Sequence, residues 1–103
     1  MTDMDLLKLA AKAAGFDYIT TGDEEIMYAW EGREPTEWNP LVDDGDALRL
    51  AVRLRMNIEV TDGETFACSW GNHSEKHGVN PMTATRRAIV RAAAEIGEMG
   101  EQK

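Results

Sequence analysis

One cysteine and two histidines have the types and spacing that come closest to a reactive or metal-binding site in this chain. Cys68, His73 and His77 follow the pattern C-x4-H-x3-H, and a thiolate with two imidazoles is a donor set that zinc accepts. A structural zinc site normally has a further protein ligand, and the paired cysteine of a zinc finger is absent. Cys68 also alternates with Phe66 and Trp70, which predicts a buried thiol on the apolar face of a strand. We therefore predict neither a metal site nor a cysteine nucleophile.

An acidic run in the middle of the chain is the second candidate for chemistry. Asp43, Asp44 and Asp46 offer carboxylate oxygens to a divalent cation, but the run lacks the spaced ligands and the distal glutamate of a calcium loop. Carboxylates at the start of a helix accept hydrogen bonds from free backbone amides and oppose the helix dipole. The run is therefore predicted to cap a helix.

The chain also lacks the sequence motifs of nucleotide binding and of serine catalysis. Its glycines are scattered and form no phosphate-binding loop. Neither of its serines, Ser69 and Ser74, lies in a nucleophile elbow. We therefore predict a protein that is not an enzyme and binds no cofactor. The alternative is a small-molecule-binding domain or an enzyme of unrecognised type.

The acidic residues are concentrated in the first part of the chain. Residues 1–46 contain 12 acidic and 3 basic side chains, a net charge of −9, whereas residues 47–103 contain 7 acidic and 8 basic side chains, a net charge of +1. Such a charge disfavours binding to nucleic-acid phosphates. It leaves solvated loops, a basic protein partner or mimicry of nucleic acid as alternatives. The candidate residues for binding a protein partner are Glu34, Glu37, Trp38, Asp43 and Asp44.

Length and composition predict one domain that forms its own core. The chain has 103 residues, 43% of them hydrophobic, and a single cysteine, so no internal disulfide can form and a reducing compartment is indicated. The first residues contain no basic segment followed by an apolar run, which predicts neither a signal peptide nor a membrane span. We expect a cytoplasmic domain over residues 1–103, with a frayed tail over about residues 98–103 after Gly97.

The first half of the chain is predicted to form a helix, a hairpin and a second helix. Thr2 can cap the first helix and Gly15 can end it. A hairpin follows from strands at 16–20 and 25–30, and residues 31–39 form a polar linker. In that linker, Trp38 either packs over the sheet edge or faces a partner, and packing is favoured. The apolar face of the first helix consists of Leu6, Leu9, Ala10 and Ala13, and that of the second of Ala47, Leu50, Ala51 and Leu54.

The second hairpin has two alternative registers. A two-residue turn at Asp62 and Gly63 pairs Thr61 with Glu64 and places Glu59 opposite Phe66, which mixes the faces. A three-residue loop over residues 61–63 keeps one face apolar and places Gly63 at a left-handed bulge position. We predict the three-residue loop, whose cross-strand pairs are Val60 with Glu64, Ile58 with Phe66, and Met56 with Cys68.

The last part of the chain is predicted as a loop over residues 71–79 and a final helix. Asn80 and Pro81 read as the cap and first residue of that helix, with Thr83 as the alternative cap. The residues predicted to face the core are Ile89, Ala92, Ala93 and Ile96. The complete prediction is an α+β fold in the order α-β-β-α-β-β-α, with three helices and one four-stranded, mostly antiparallel sheet in a three-layer α/β/α sandwich.

Two segments of the chain carry a resemblance to a known family. They are WNPLVDDGDALRLAV over residues 38–52 and ATRRAIVRAAA over residues 84–94. Through them the chain resembles the phage ABA-sandwich domain of small phage and prophage proteins, over roughly residues 37–97. The resemblance implies a three-layer α/β/α fold and a phage origin, with no settled activity. The zinc-like spacing at Cys68 has no counterpart in this resemblance.

The sequence and the resemblance together predict a non-enzymatic phage or prophage accessory protein. It would act by binding another protein through the acid-rich surface, and a host protein is one candidate partner. Basic side chains on the later helices pair within the chain or contact the acidic hairpin of a second copy. We expect no nucleic-acid partner and no membrane partner. The basic residues concerned are Arg49, Arg53, Arg86, Arg87 and Arg91.

Overall fold

The computed structural model describes residues 1–69 and 71–101 of the chain. Within these residues the fold is α+β, as predicted, with the chain order α-β-β-β-α-β-β-β-α. The helices are α1 (Asp3–Ala14), α2 (Asp44–Arg53) and α3 (Pro81–Glu101). The strands are β1 (Asp17–Thr20), β2 (Met27–Trp30), β3 (Thr36–Glu37), β4 (Asn57–Val60), β5 (Glu64–Cys68) and β6 (Asn72–Lys76).

The strands of the described residues form two separate antiparallel sheets of three strands each, in the orders β1-β2-β3 and β4-β5-β6. The prediction of one four-stranded sheet is wrong because the two hairpins do not pair with each other. Each hairpin instead gains a third strand from a segment predicted as linker or loop. β3 and β6 are polar throughout, so neither shows the apolar alternation by which a strand is recognised in a sequence.

The three helices begin where the sequence predicts. Thr2 and Asp5 form a capping box at α1, in which the Thr2 hydroxyl accepts from the Asp5 amide at 3.1 Å and the Asp5 carboxylate accepts from the Thr2 amide at 3.0 Å. Gly15 ends α1 with φ of 79°. The Asp43 carboxylate accepts from the Asp46 amide at the start of α2, and the Asn80 side chain accepts from the Met82 amide at the start of α3.

The central packing contact of the molecule lies between α1 and α3. Gly97 of α3 lies so close to α1 that a Cβ atom there would stand 2.0 Å from the backbone oxygen of Leu9. The helix continues through Gly97 and Gly100 to Glu101, and it therefore extends over part of the segment 98–103 that we predicted as a frayed tail. Residues 102 and 103 lie outside the described part of the chain. Gly97 thus acts as a packing residue that lets two helices approach closely.

The register of the second hairpin differs from the prediction. Val60 pairs with Thr65 and Glu59 with Phe66, and the Thr61 amide donates to the Glu64 carbonyl at 2.9 Å. The connection is therefore the two-residue turn that we rejected. Gly63 does not adopt a left-handed conformation, so the predicted bulge is also wrong.

The reason for this register is that β5 buries its small residues. Thr65 and Ala67 are fully buried beneath α3, whereas Phe66 and Cys68 lie half-buried on the opposite face. The Thr65 hydroxyl is 2.8 Å from the Thr85 hydroxyl of α3, which shows how closely helix and strand approach. Because a phenyl ring would not fit at that distance, the small residues occupy the inner face. The predicted placement of Cys68 on the inner apolar face is wrong, and Trp70 lies outside the described residues.

Candidate functional site

The cysteine and the two histidines of the zinc-like pattern do not form one site. Cys68 pairs with Asn72 and the adjacent Ala67 pairs with His73, so Cys68 and His73 point to opposite faces of the sheet. His73 is bonded to Glu95 of α3 at 2.5 Å, and the His77 ring is 2.9 Å from the Thr65 hydroxyl. The described residues contain no group of three or more side chains that could hold a metal ion. The histidines connect β6 to the neighbouring elements.

The predicted acidic binding residues at the start of α2 are engaged within the chain. Asp43 caps α2 and lies 3.8 Å from the Arg49 guanidinium. Asp44 pairs with Arg86 at 2.6 Å, and the same arginine donates to the Leu41 carbonyl at 2.8 Å. These bonds attach the start of α2 to α3. Asp43 and Asp44 therefore have structural roles within the chain, and the binding of a partner by these two residues stays a prediction.

Trp38 is buried, as the packing alternative predicted. Its ring meets Phe16 edge to face, with ring centroids 5.6 Å apart and an interplanar angle of 88°. Its backbone amide donates to the Met27 carbonyl at 2.9 Å, which places it beside β2. Trp38 thereby closes the end of the first sheet over the core.

A concavity beside Trp38 has a volume of about 490 Å³. We call it the aromatic cleft. It opens between the end of β2, the connection to β3 and the side of α2, and Trp30 and Trp38 supply its aromatic walls. Glu34 also lines it, so the structure brings two of the predicted binding residues together. The lining residues are Phe16, Ala29, Trp30, Glu31, Arg33, Glu34, Thr36, Trp38, Arg49 and Leu50.

Glu37, the remaining predicted binding residue, lies close by in sequence but outside the cleft lining. It is exposed on β3, opposite Tyr28 of β2. Sequence reasoning missed Trp30 and Arg33 as cleft residues. Two sequence signals pointed to them: Trp30 is a large ring at the end of a predicted strand, and Arg33 is the only cation between residues 17 and 46. Their position beside Trp38 depends on the pairing of β3 with β2, which the sequence pattern does not indicate.

The cleft charges divide into internally paired groups and unpaired groups. Glu31 is bonded to the Arg53 guanidinium, which also donates to the Ala14 carbonyl and lies 5.0 Å above the Phe16 ring. Arg49 pairs with Asp46 of its own helix at 2.8 Å. Arg33 and Glu34 form no ion pair with another residue in the described part of the chain. These two side chains are the cleft charges that a partner can still use.

The later arginines mostly serve intramolecular ion pairs. Arg87 pairs with Asp3 at 3.1 Å, and Arg91 is bonded to Glu75 of β6. Together with the pairs of Arg49, Arg53 and Arg86, these bonds confirm pairing within the chain. A homo-oligomer formed through the acidic hairpin and these helices stays a prediction. The arginines that would contact a second copy already form ion pairs within their own chain.

The pKa values of Asp5, Lys8 and Asp23 are displaced, and these three groups lie outside the aromatic cleft. The pKa of Asp5 is lowered because its carboxylate accepts the Thr2 amide and hydroxyl hydrogen bonds. The pKa of Lys8 is raised by its hydrogen bond to Glu24. The pKa of Asp23 is lowered by the Thr21 hydroxyl and the Glu25 amide. These groups belong to a helix cap, an ion pair and a turn, which gives each shift a structural cause.

Comparison of the chain with models of known families, with curated proteins and with solved structures finds no significant match. The likeness to the phage ABA-sandwich domain therefore rests on the two sequence segments and stays a prediction. No helix in the described part of the chain has both the length and the apolar character needed to cross a membrane.

Proposed function

We propose that this chain is a non-enzymatic protein-binding domain that binds its partner through the aromatic cleft and the adjoining acidic edge. The observation that supports this function is the cleft itself, in which Trp30 and Trp38 lie beside Glu34, a carboxylate without an ion pair among the described residues. Tryptophan side chains are enriched among the residues that contribute most of the binding energy at protein interfaces. Glu37 on β3 extends the acidic edge of the same surface.

The chemistry of the cleft favours a basic side chain of the partner. A guanidinium or ammonium group is attracted to the face of a tryptophan ring, and a carboxylate such as Glu34 strengthens its binding through a charge-assisted hydrogen bond. The acidic excess of residues 17–46 would increase the rate of encounter with a basic partner. Arg33 adds one cation to the rim, which selects against partners with several basic groups at that point.

We further propose that the domain is a phage or prophage accessory protein with a three-layer α/β/α arrangement, acting on a host protein in the cytoplasm. The support for this part is the resemblance of residues 38–52 and 84–94 to the phage ABA-sandwich domain. It is an argument by analogy, because a fold does not define a function.

Affinity capture from a bacterial lysate tests the binding function. The double variant Glu34→Lys/Glu37→Lys reverses two exposed charges, and Glu98→Lys is the matched control because Glu98 is exposed on α3. We expect a protein captured by the wild type to be lost with the double variant and retained with the control. Equal capture by the wild type and the double variant would contradict the proposal, as would equal loss with the control. Asp43 and Asp44 are unsuitable for this test because they stabilise the fold.

A second candidate function is the binding of a small molecule. It is favoured by the cleft volume of about 490 Å³, which lies within the range of roughly 300–1,000 Å³ typical of ligand pockets. A thermal-shift screen of metabolites distinguishes the two functions. A compound that raises the melting temperature of the wild type but not of Trp30→Ala would support the small-molecule function and count against the protein partner.

A further inference from the structure

The strand β4 is an open and apolar edge of the second sheet. It is bonded to β5 on one side only, and all four of its residues are exposed. Ile58 is 37% and Val60 59% exposed. The opposite edge, β6, carries the polar sequence NHSEK. Open edges offer unpaired backbone groups to other strands and are normally protected by charged side chains, but the inner face of β4 has none.

The backbone amides and carbonyls at the free edge of β4 can form hydrogen bonds with another strand. The Thr61 amide donates to the Glu64 carbonyl, so in an antiparallel ladder Glu59 and Asn57 also direct their amides and carbonyls toward β5. The amides and carbonyls of Ile58 and Val60 therefore point away from β5, to the free edge. Two residues of β4 thus carry free hydrogen-bonding groups beside exposed apolar side chains.

An apolar surface adjoins this edge. A groove of about 290 Å³ lies between α2, α3 and β4, and its lining includes Leu48, Ile58 and Met82. Leu48 is 62% and Val52 68% exposed. They are four residues apart on α2 and so lie on one face of the helix. The exposed side chains of β4 and α2 form an apolar patch of the kind that marks protein interfaces.

We propose that β4 pairs in antiparallel fashion with β4 of a second copy of this chain, around a two-fold axis at Ile58. The two three-stranded sheets then form one six-stranded sheet. In this register Ile58 exchanges two hydrogen bonds with its symmetry mate, and each Val60 amide donates to a Met56 carbonyl. The Met56 amide makes no hydrogen bond to the other copy, because it already donates to the Ala51 carbonyl of its own chain at 3.0 Å.

The side chains favour this register over its neighbours. It places Asn57 opposite Glu59 of the other copy, where an amide can donate to a carboxylate. A shift of the pairing by two residues places the two Glu59 carboxylates opposite each other, which is destabilising. The intermediate register pairs Ile58 with Glu59, which mixes the faces and mismatches the backbone groups. One register therefore satisfies both the backbone and the charges.

The charge distribution favours a second copy as the occupant. Two chains that each carry a net charge of −8 repel one another, but β4 lies in residues 47–103, which carry a net charge of only +1. Pairing at β4 thus joins two chains at a strand whose one charged side chain, Glu59, faces Asn57 of the other copy in the proposed register. This surface shares no lining residue with the aromatic cleft, so self-pairing and partner binding can be tested separately.

Sedimentation velocity over micromolar to millimolar concentrations tests the pairing. We expect a concentration-dependent dimer for the wild type and a monomer for Val60→Lys, because the lysine enters the apolar seam. Val79→Lys is the matched control, since Val79 is fully exposed in the connection before α3, and it should dimerise as the wild type does. A wild type that is monomeric throughout the range, or a dimer unaffected by Val60→Lys, would overturn the proposal.

Disulfide cross-linking tests the register itself. The background is Cys68→Ser, because Cys68 lies opposite Asn57 in the same chain. A mixture of Asn57→Cys and Glu59→Cys chains should form a cross-linked dimer on mild oxidation, since these positions are directly opposite in the proposed register. Glu59→Cys alone should give much less cross-linked dimer. Efficient cross-linking of Glu59→Cys alone would indicate the shifted register and contradict the proposal.

Discussion

The two sheets of this protein bury different kinds of side chain on their central strands. In the first sheet, β2 buries Met27 and Ala29 and leaves space for the Trp38 ring at its end. In the second sheet, β5 buries Thr65 and Ala67 directly beneath α3. In the second sheet, the close approach of α3 accounts for which face is inside. Where the helix is close, small side chains are buried even though larger apolar ones are adjacent in sequence.

This difference also divides the functional surfaces. The aromatic cleft lies at the end of the first sheet, and Glu34 lines it together with two tryptophans. On the inner face of the second sheet, the Thr65 hydroxyl is bonded to the side chains of His77 and of Thr85 in α3. The free edge of that sheet, β4, is the part that can associate. The first sheet adjoins the proposed partner-binding cleft, and the second sheet carries the proposed self-pairing edge.

The two cleft tryptophans provide the largest expected effect on stability. Trp38→Ala should lower the free energy of unfolding by about 4 kcal/mol, because it removes a buried ring from the end of the first sheet. Trp30→Ala should cost clearly less, since Trp30 is half-buried at the cleft wall. Urea denaturation followed by far-ultraviolet circular dichroism measures both. Equal losses for the two variants would contradict the distinction between a packing tryptophan and a binding tryptophan.

The two glycines of α3 should respond in opposite directions to the same substitution. Gly97→Ala places a Cβ atom 2.0 Å from the Leu9 backbone oxygen, and separation of the helices should cost about 3 kcal/mol. Gly100→Ala meets nothing within 4 Å and should stabilise the helix by about 0.5–1 kcal/mol. Thermal unfolding of the two variants checks the signs. A neutral Gly97→Ala would show that α1 and α3 are not in close contact.

Substitution at adjacent positions of β5 tests which face of the second sheet is inside. Ala67→Leu overfills the buried face and should destabilise the fold by about 2 kcal/mol. Phe66→Leu changes a half-exposed side chain on the opposite face, and its cost should stay below about 1 kcal/mol. Denaturant unfolding compares the two values. A greater loss of stability for Phe66→Leu would contradict the burial of Thr65 and Ala67 beneath α3.

Acid sensitivity of the α1 cap is the smallest expected effect. The folded-state pKa of Asp5 lies below its ordinary value of 3.8, so its contribution to stability is complete above that pH and is lost as the pH falls through the folded-state pKa. Asp5→Asn should therefore reduce the decrease in melting temperature between pH 5 and pH 2, about the range in which such a carboxylate titrates. Asp17→Asn is the control, because it removes an exposed carboxylate of β1 without removing a helix cap, and an equal effect of the two variants would contradict the role of the Asp5 cap.

The helices were predictable because their signals are local. Thr2, Gly15, Asp43 and Asn80 mark helix ends through hydrogen bonds to nearby backbone groups, which neighbouring residues suffice to define. The strands β3 and β6 were not predictable in this way. Their stability comes from backbone pairing with β2 and β5, which leaves no apolar pattern in polar segments such as Asn72–Lys76.

The register of the second hairpin and the roles of the acidic residues depend on distant contacts. The choice between Phe66 and Ala67 as the buried residue is made by α3, which follows them in sequence. Similarly, Asp44 was predicted to bind a partner, but Arg86, 42 residues away, pairs with it. Only Glu34 and Trp38 of the candidate site meet in one cleft, because the unpredicted strand β3 brings them there.

Chemical-shift mapping with a captured partner tests the central claim most directly. Backbone amide signals of the isotope-labelled chain are compared before and after the partner is added. The proposed function predicts the largest changes between Trp30 and Trp38, around the aromatic cleft, and small changes in β5 and β6. Changes confined to the second sheet, with the signals of residues 30–38 unmoved, would contradict the assignment of partner binding to the aromatic cleft.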